Sequence, residues 1–224
     1  KEFIDNNGTK YHKHKESGVV TTRSVAKPKE IKKYIDYEEL NTAMTHYKQN
    51  LKNKWESMDC SKIWNKDLID ELDIGLDNNG DMVYGHHNKE GKLINLKMHK
   101  NSQRGDSAKK WYLRHKIASY SKDKELFICE GEKDAICLYN QGYQVTSGTC
   151  GAMSIPNLDD IEGFIRYWIP YDKDNWGMDG AKKLAKELLK KNPNAEILIP
   201  QWDEQLAEKY DVYDAFMDDI GMTT

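Results

Sequence analysis

From residue 125 onward, short apolar runs alternate with amphipathic stretches, and this alternation constrains the fold more than any other feature of the sequence. Residues 125–129 (ELFIC) form an apolar run ending at Glu130, and EKDAICLYNQG reads as a helix closed by Gly142. YQVTSG is a second strand, and FIRYWIPYD is a third apolar run that ends at Asp172. GAKKLAKELLKKNP has helical spacing, with Lys in its last turn and Pro193 beyond it. AEILIP is a fourth strand and DVYDAFMDDIG a short closing helix. Strands that alternate with helices imply βαβ units, hence an α/β fold with a parallel sheet and helices on both faces. In such sheets the functional groups gather at the carboxyl ends of the strands.

The upstream half follows a different grammar. Residues 1–36 are polar and aperiodic, which predicts a tail or linker. Leu40, Ala43, Met44, Tyr47 and Leu51 recur at three- and four-residue spacings and predict an amphipathic helix over 37–56. Between 73 and 98, the turn dipeptides Asn79-Gly80 and Glu90-Gly91 separate short alternating segments, the pattern of a small antiparallel sheet. The expected organisation is therefore a tail over 1–36, a small basic α+β subdomain over 37–120 and the α/β domain over 121–224.

Charge divides along the same line. The formal net charge of -3 hides +6 in residues 1–116 (23 basic, 17 acidic) and -9 in residues 117–224 (11 basic, 20 acidic). Residues 89–116 alone carry nine Lys and Arg against two acidic residues. A basic module beside an acidic one suits a protein that grips a polyanion with one part and holds cations with the other. Leu93, Leu96, Met98, Trp111, Tyr112 and Leu113 interrupt the basic run, so it reads as folded strands presenting basic side chains. Lys97, Lys100, Arg104, Lys109, Lys110 and Lys133 are the candidate contacts to phosphates. Trp111 and Tyr112 either stack on unpaired bases or pack in the core.

The acidic residues sit where the fold class predicts function. Glu130 ends the first strand and is followed by Gly131, Glu132 and Asp134; Asp172 and Asp174 end the third. Asp211 and Asp214 follow the fourth. Carboxylates converging from neighbouring strand ends repel one another unless a cation intervenes. Oxygen ligands without His or Cys suit Mg²⁺ or Mn²⁺. Glu132 and Asp134 also read as ordinary complements of a helix dipole. Cys60, Cys129, Cys137 and Cys150 form no C-x-x-C pair, so neither a disulfide framework nor a zinc site is expected, and a reducing cytoplasm is the expected location. No run reaches the ~20 apolar residues of a membrane helix.

LFICEGEKDA, TSGTCGA and WIPYDKDNWGMDGAKKLAKEL together resemble the Toprim domain, which DNA primases share with topoisomerases and some nucleases. The resemblance covers about residues 125–216, and KYDVYDAF resembles the Asp-x-x-Asp element of its primase-type members. It implies a Toprim-like catalytic domain preceded by the basic subdomain, as in the RNA-polymerase core of a bacteriophage- or plasmid-type primase. By that resemblance the chain makes short RNA primers on single-stranded DNA from nucleoside triphosphates, in company with a replicative helicase in cis or in trans. Glu130, Asp172 and Asp174 would be the leading metal ligands, with Glu130 also the general base, and Asp134, Asp211 and Asp214 would stand behind them. A metal-dependent nuclease and a non-catalytic DNA-binding module are the alternatives. Primases of this kind carry an N-terminal zinc ribbon that the sequence lacks, and GTKYHKHKESG at 8–18 resembles its last hairpin without the thiolates. No phosphate-binding G-x-x-x-x-G-K-[ST] loop occurs.

Overall fold

The computed structural model describes residues 2–4, 10–12, 35–98, 103–106 and 109–223. It falls into two compact units, Lys1–Tyr34 and Ile35–Thr224. In the first, β1 (Glu2–Ile4) pairs antiparallel with β2 (Lys10–His12), Phe3 opposite Tyr11. Residues 5–9 and 13–34 of the expected tail, including most of the 8–18 motif, lie outside the described residues.

The second unit opens with α1 (Tyr37–Lys54). Asp36 caps it by accepting the Glu39 N–H at 3.0 Å, Glu38 and Glu39 favour its positive end, and Lys52 and Lys54 its negative end. Its buried stripe of Leu40, Met44 and Leu51 packs on an antiparallel sheet. That sheet has the order β3 (Ile74–Leu76), β4 (Met82–His87), β5 (Leu93–Met98), β6 (Gln103–Gly105). A short helix, α2 (Leu68–Glu71), precedes it. Gly80 and Gly91 adopt φ of 88° and 79° in the two tight turns, a region open to glycine at little steric cost.

After α3 (Arg114–Ile117) come β7 (Glu125–Cys129), α4 (Glu132–Asn140), β8 (Val145–Ser147), β9 (Arg166–Trp168), α5 (Asn175–Lys191), β10 (Glu196–Leu198) and α6 (Val212–Thr223). The four strands form a parallel sheet ordered β10-β9-β7-β8. Strand β7 shows why both faces carry helices. Leu126 and Ile128 point to a core shared with Ala181, Leu184 and Leu188 of α5, while Cys129 joins Ala135 and Ile136 of α4. The second core continues through Trp64, Ile69, Leu72, Ile74 and Tyr112, so it also cements the segments upstream of the parallel sheet. Among the described residues, no helix is long and apolar enough to cross a membrane.

Candidate metal centre and its basic neighbours

The two central strands, β7 and β9, run side by side and lead to Glu130 and Asp172 at the carboxyl end of the sheet. Asp134 comes from the first turn of α4, directly beyond Gly131. Asp211 is brought in from far along the chain by a laced loop. Lys173 N donates to the Tyr210 carbonyl and Lys209 N to the Lys173 carbonyl, both at 2.9 Å. Trp202 Nε1 donates to the Tyr171 carbonyl at 2.8 Å, and Lys173 Nζ to the carbonyls of Glu204 and Leu206. One carboxylate oxygen from each of Asp134, Asp172 and Asp211 then lies within 4.8 Å of the others.

The electrostatics of this trio are those of a site built around a positive charge. Burial, then Glu130, Asp211 and Asp174, push Asp172 up to about 7, with Lys133 opposing. Burial raises Asp134 well above the carboxylate range, and Asp211 and Asp172 add to it. Glu130 is also raised, chiefly by burial and further by Asp174 and Asp211, against the opposing backbone N–H groups of Asp172 and Ala152. Its Oε2 is buried without a hydrogen-bond partner. Three clustered oxygens that repel one another fit a hard divalent cation, which would relieve the repulsion and take them as ligands.

The other acidic residues have local tasks. Asp174 caps α5, its Oδ1 accepting the Gly177 N–H at 2.6 Å. Gly177 is required there: a Cβ would fall 2.3 Å from the Asp172 carbonyl oxygen. Asp214 and Asp211 cap the start of α6 reciprocally, Asp214 N donating to Asp211 Oδ1 at 2.8 Å and Asp211 N to Asp214 Oδ2 at 3.3 Å. The Asp-x-x-Asp element thus orients Asp211, and the Tyr213 N–H holds Asp134 Oδ1 at 3.1 Å.

The basic residues divide by partner. Lys133 lies 3.2 Å from Asp211 and over the Tyr213 ring. Lys109 is exposed, Arg104 pairs with Glu39, and Lys110 is buried beside Asp106. Lys97 faces inward: its Nζ is 2.7 Å from Oε2 of Glu132, a carboxylate only 4% exposed. His86 Nε2 lies 3.1 Å from the other oxygen. Burial alone would raise the Glu132 pKa, but His86 and Lys97 outweigh it and hold it low. No spacing rule marks this triad, because His86 and Lys97 belong to a hairpin and Glu132 to a helix beyond it. Trp111 and Tyr112 are buried, Trp111 bridging to Gly148 and Tyr112 N donating to the Ser147 carbonyl at 2.8 Å, so neither offers a ring to a base. Lys100 lies outside the described residues.

No family model matches the sequence, and no curated protein sequence matches it significantly. Solved structures do. The Aquifex aeolicus primase (zinc-binding and RNA polymerase domains) superposes with a TM-score of 0.61 at 16% identity, over 84% of this chain and 58% of its own. A DNA primase domain from Pseudomonas aeruginosa gives 0.60 at 15% identity, over 83% and 78%. The primase fragment of the bacteriophage T7 primase-helicase gives 0.53 at 16% identity, over 71% and 68%. At these identities the likeness speaks to architecture, and the chain has the fold of a primase catalytic core, a Toprim-type parallel sheet with an antiparallel sheet upstream of it.

Proposed function

We propose that the chain is the catalytic core of a DNA primase, making short RNA primers on single-stranded DNA by metal-dependent nucleotidyl transfer. The observation that carries this reading is the convergence of Asp134, Asp172 and Asp211 at the strand ends of a primase-type fold. Mg²⁺ or Mn²⁺ held by these carboxylates would neutralise phosphate charge and acidify the attacking hydroxyl. The primer 3′-oxygen forms a bond to the α-phosphorus as the bond to pyrophosphate breaks, and the hydroxyl proton must go to a base. Glu130 suits that role, with a pKa raised by burial and by the nearby Asp174 and Asp211, and with one buried carboxylate oxygen that has no hydrogen-bond partner. Asp174 fixes the start of α5 through its cap, and Asp214 orients Asp211 through the reciprocal cap of α6. Lys133, partly exposed beside Asp211, is positioned to meet the triphosphate, while Lys109 and Arg104 offer charge to the template backbone. Lys97 and Lys110 serve by holding the basic segment in place. The 37–120 segment is then the template-binding part, the 121–224 segment the chemical one, and a replicative helicase the partner.

The test is primer synthesis on single-stranded DNA with labelled nucleoside triphosphates and Mg²⁺ or Mn²⁺, with and without EDTA, comparing the chain with Glu130→Gln. Metal-dependent short products that disappear in the variant support the reading. Degradation of the DNA would instead make the cluster a nuclease site.

A further inference from the structure

Helix α5 starts at the acidic cluster, and its first turn carries an aromatic ring that the fold does not use. Trp176 is 70% exposed, the most exposed large apolar side chain among the described residues. The face of α5 that meets the core is made by Gly177, Gly180, Ala181, Leu184 and Leu188, which leaves Trp176 outside it. Of the other described tryptophans, Trp55, Trp64 and Trp111 are buried, Trp168 is half-buried and stacked on Phe127, and Trp202 donates its N–H to the Tyr171 carbonyl.

The place of residue 176 on α5 follows from the contacts of its helix neighbours. Residues 176, 180 and 183 form one stripe along a helix. Gly180 packs so closely on Ala152 that an added Cβ would come within 2.7 Å of the Ala152 Cβ, and Lys183 Nζ donates to the Met153 carbonyl at 2.8 Å. The stripe therefore faces the loop at 149–153, whose Ala152 N–H also faces Glu130 and whose Met153 side chain is exposed. On the other side, Gly177 rests against the Asp172 carbonyl. Trp176 thus stands on the rim of the carboxylate cluster, bracketed by Asp172 and by the loop that touches Glu130.

We infer that Trp176 is a stacking platform for a nucleobase whose phosphate lies at the acidic cluster. This rests on the nucleotidyl-transfer reading and adds a residue to it. A flat, exposed indole beside a cation-binding centre suits a base, which has an aromatic face whatever its sequence. The base can belong to the template strand or to a nucleoside triphosphate, and the two are separated by the probe used.

The experiment measures time-resolved tryptophan fluorescence under acrylamide quenching, for the intact chain, Trp176→Leu and Trp176→Tyr, with Mg²⁺ present. The intact chain should show an accessible component that Trp176→Leu lacks. A short single-stranded oligodeoxynucleotide or ATP should shield that component, and whichever probe shields it names the source of the base. The shielding ligand should bind Trp176→Leu roughly 5- to 100-fold more weakly, with Trp176→Tyr near the intact value. In primer synthesis the Leu variant should raise KM and keep most of kcat. If neither probe shields Trp176, or Trp176→Leu binds both as the intact chain does, the inference fails. Primer synthesis by an intact chain whose Trp176 stays unshielded would overturn this inference alone; shielding without primer synthesis would overturn only the proposed activity.

Discussion

Replacing Lys97 by Met keeps most of the aliphatic stem and deletes one charge, and the buried partner makes the consequence large. Glu132 is 4% exposed, and its remaining neighbour His86 has its pKa lowered by burial, so the imidazole is neutral near pH 7. The variant leaves a buried carboxylate without its cation, which costs about 3–5 kcal/mol. At about 2–4 °C per kcal/mol for a chain of this size, the melting temperature should fall by about 6–20 °C. The pH dependence carries a sign as well. In the intact chain the Glu132 pKa is lowered, so its contribution is present above the ordinary value of 4.5 and fades as pH falls through the folded-state value. Without Lys97 that pKa should move up, so the stability deficit should shrink on acidification. Combining Lys97→Met with Glu132→Met should recover much of the loss, since a buried ion pair replaced by apolar groups is often near neutral. Urea denaturation followed by circular dichroism across the pH range measures all three variants. A Lys97→Met cost below about 1 kcal/mol that does not change with pH would match an exposed ion pair and contradict a buried one.

Two further outcomes follow from the carboxylates. Asp172 has a folded-state pKa of about 7 against an ordinary 3.8, so its protonated form contributes stability that is complete below 3.8 and lost as pH rises through about 7. Metal-free protein should therefore melt lower at about pH 8 than at about pH 5, and added Mg²⁺ should raise the melting temperature more at the higher pH, as calorimetry would show. An Mg²⁺ effect that is equal at both would contradict this. Gly177→Ala puts a Cβ against the Asp172 carbonyl, and should cost about 1–3 kcal/mol in denaturation while weakening metal binding more than folding. Unchanged metal affinity in this variant would show that the α5 start does not position Asp172.

The parallel sheet was legible because its strands are buried on both faces and its helices keep a 3.6-residue stripe, as the Leu126/Ile128 and Leu184/Leu188 sets show. Asn79-Gly80 and Glu90-Gly91 announced the antiparallel turns through the one residue that enters positive φ cheaply. Glu130 was marked by its place directly after β7; Asp172 was expected to end the next strand, but β9 stops at Trp168 and Asp172 lies four residues beyond it. The trio itself was harder to see. Asp134 sits in a helix turn where carboxylates are common, and Asp211 reaches the site only through the 199–211 loop laced to Tyr171 and Lys173. Among the basic residues, charge counting cannot tell a solvated lysine from a paired one, and Lys97 is paired through a contact spanning 35 residues. The pairing of Glu2–Ile4 with Lys10–His12 was also hidden, because three-residue strands leave almost no period to read.

In the proposed site, Asp134, Asp172 and Asp211 form one divalent-cation centre. It is tested most directly by titrating the protein with Mn²⁺ and following free and bound ion by electron paramagnetic resonance, for the intact chain and for Asp134→Asn, Asp172→Asn and Asp211→Asn. Such a centre should bind Mn²⁺ saturably in the intact chain, displaced by Mg²⁺ and weakened at least tenfold or so by each substitution, since removing a charged ligand costs on the order of 1.4 kcal/mol or more. Equal Mn²⁺ affinity in the intact chain and all three variants would contradict it.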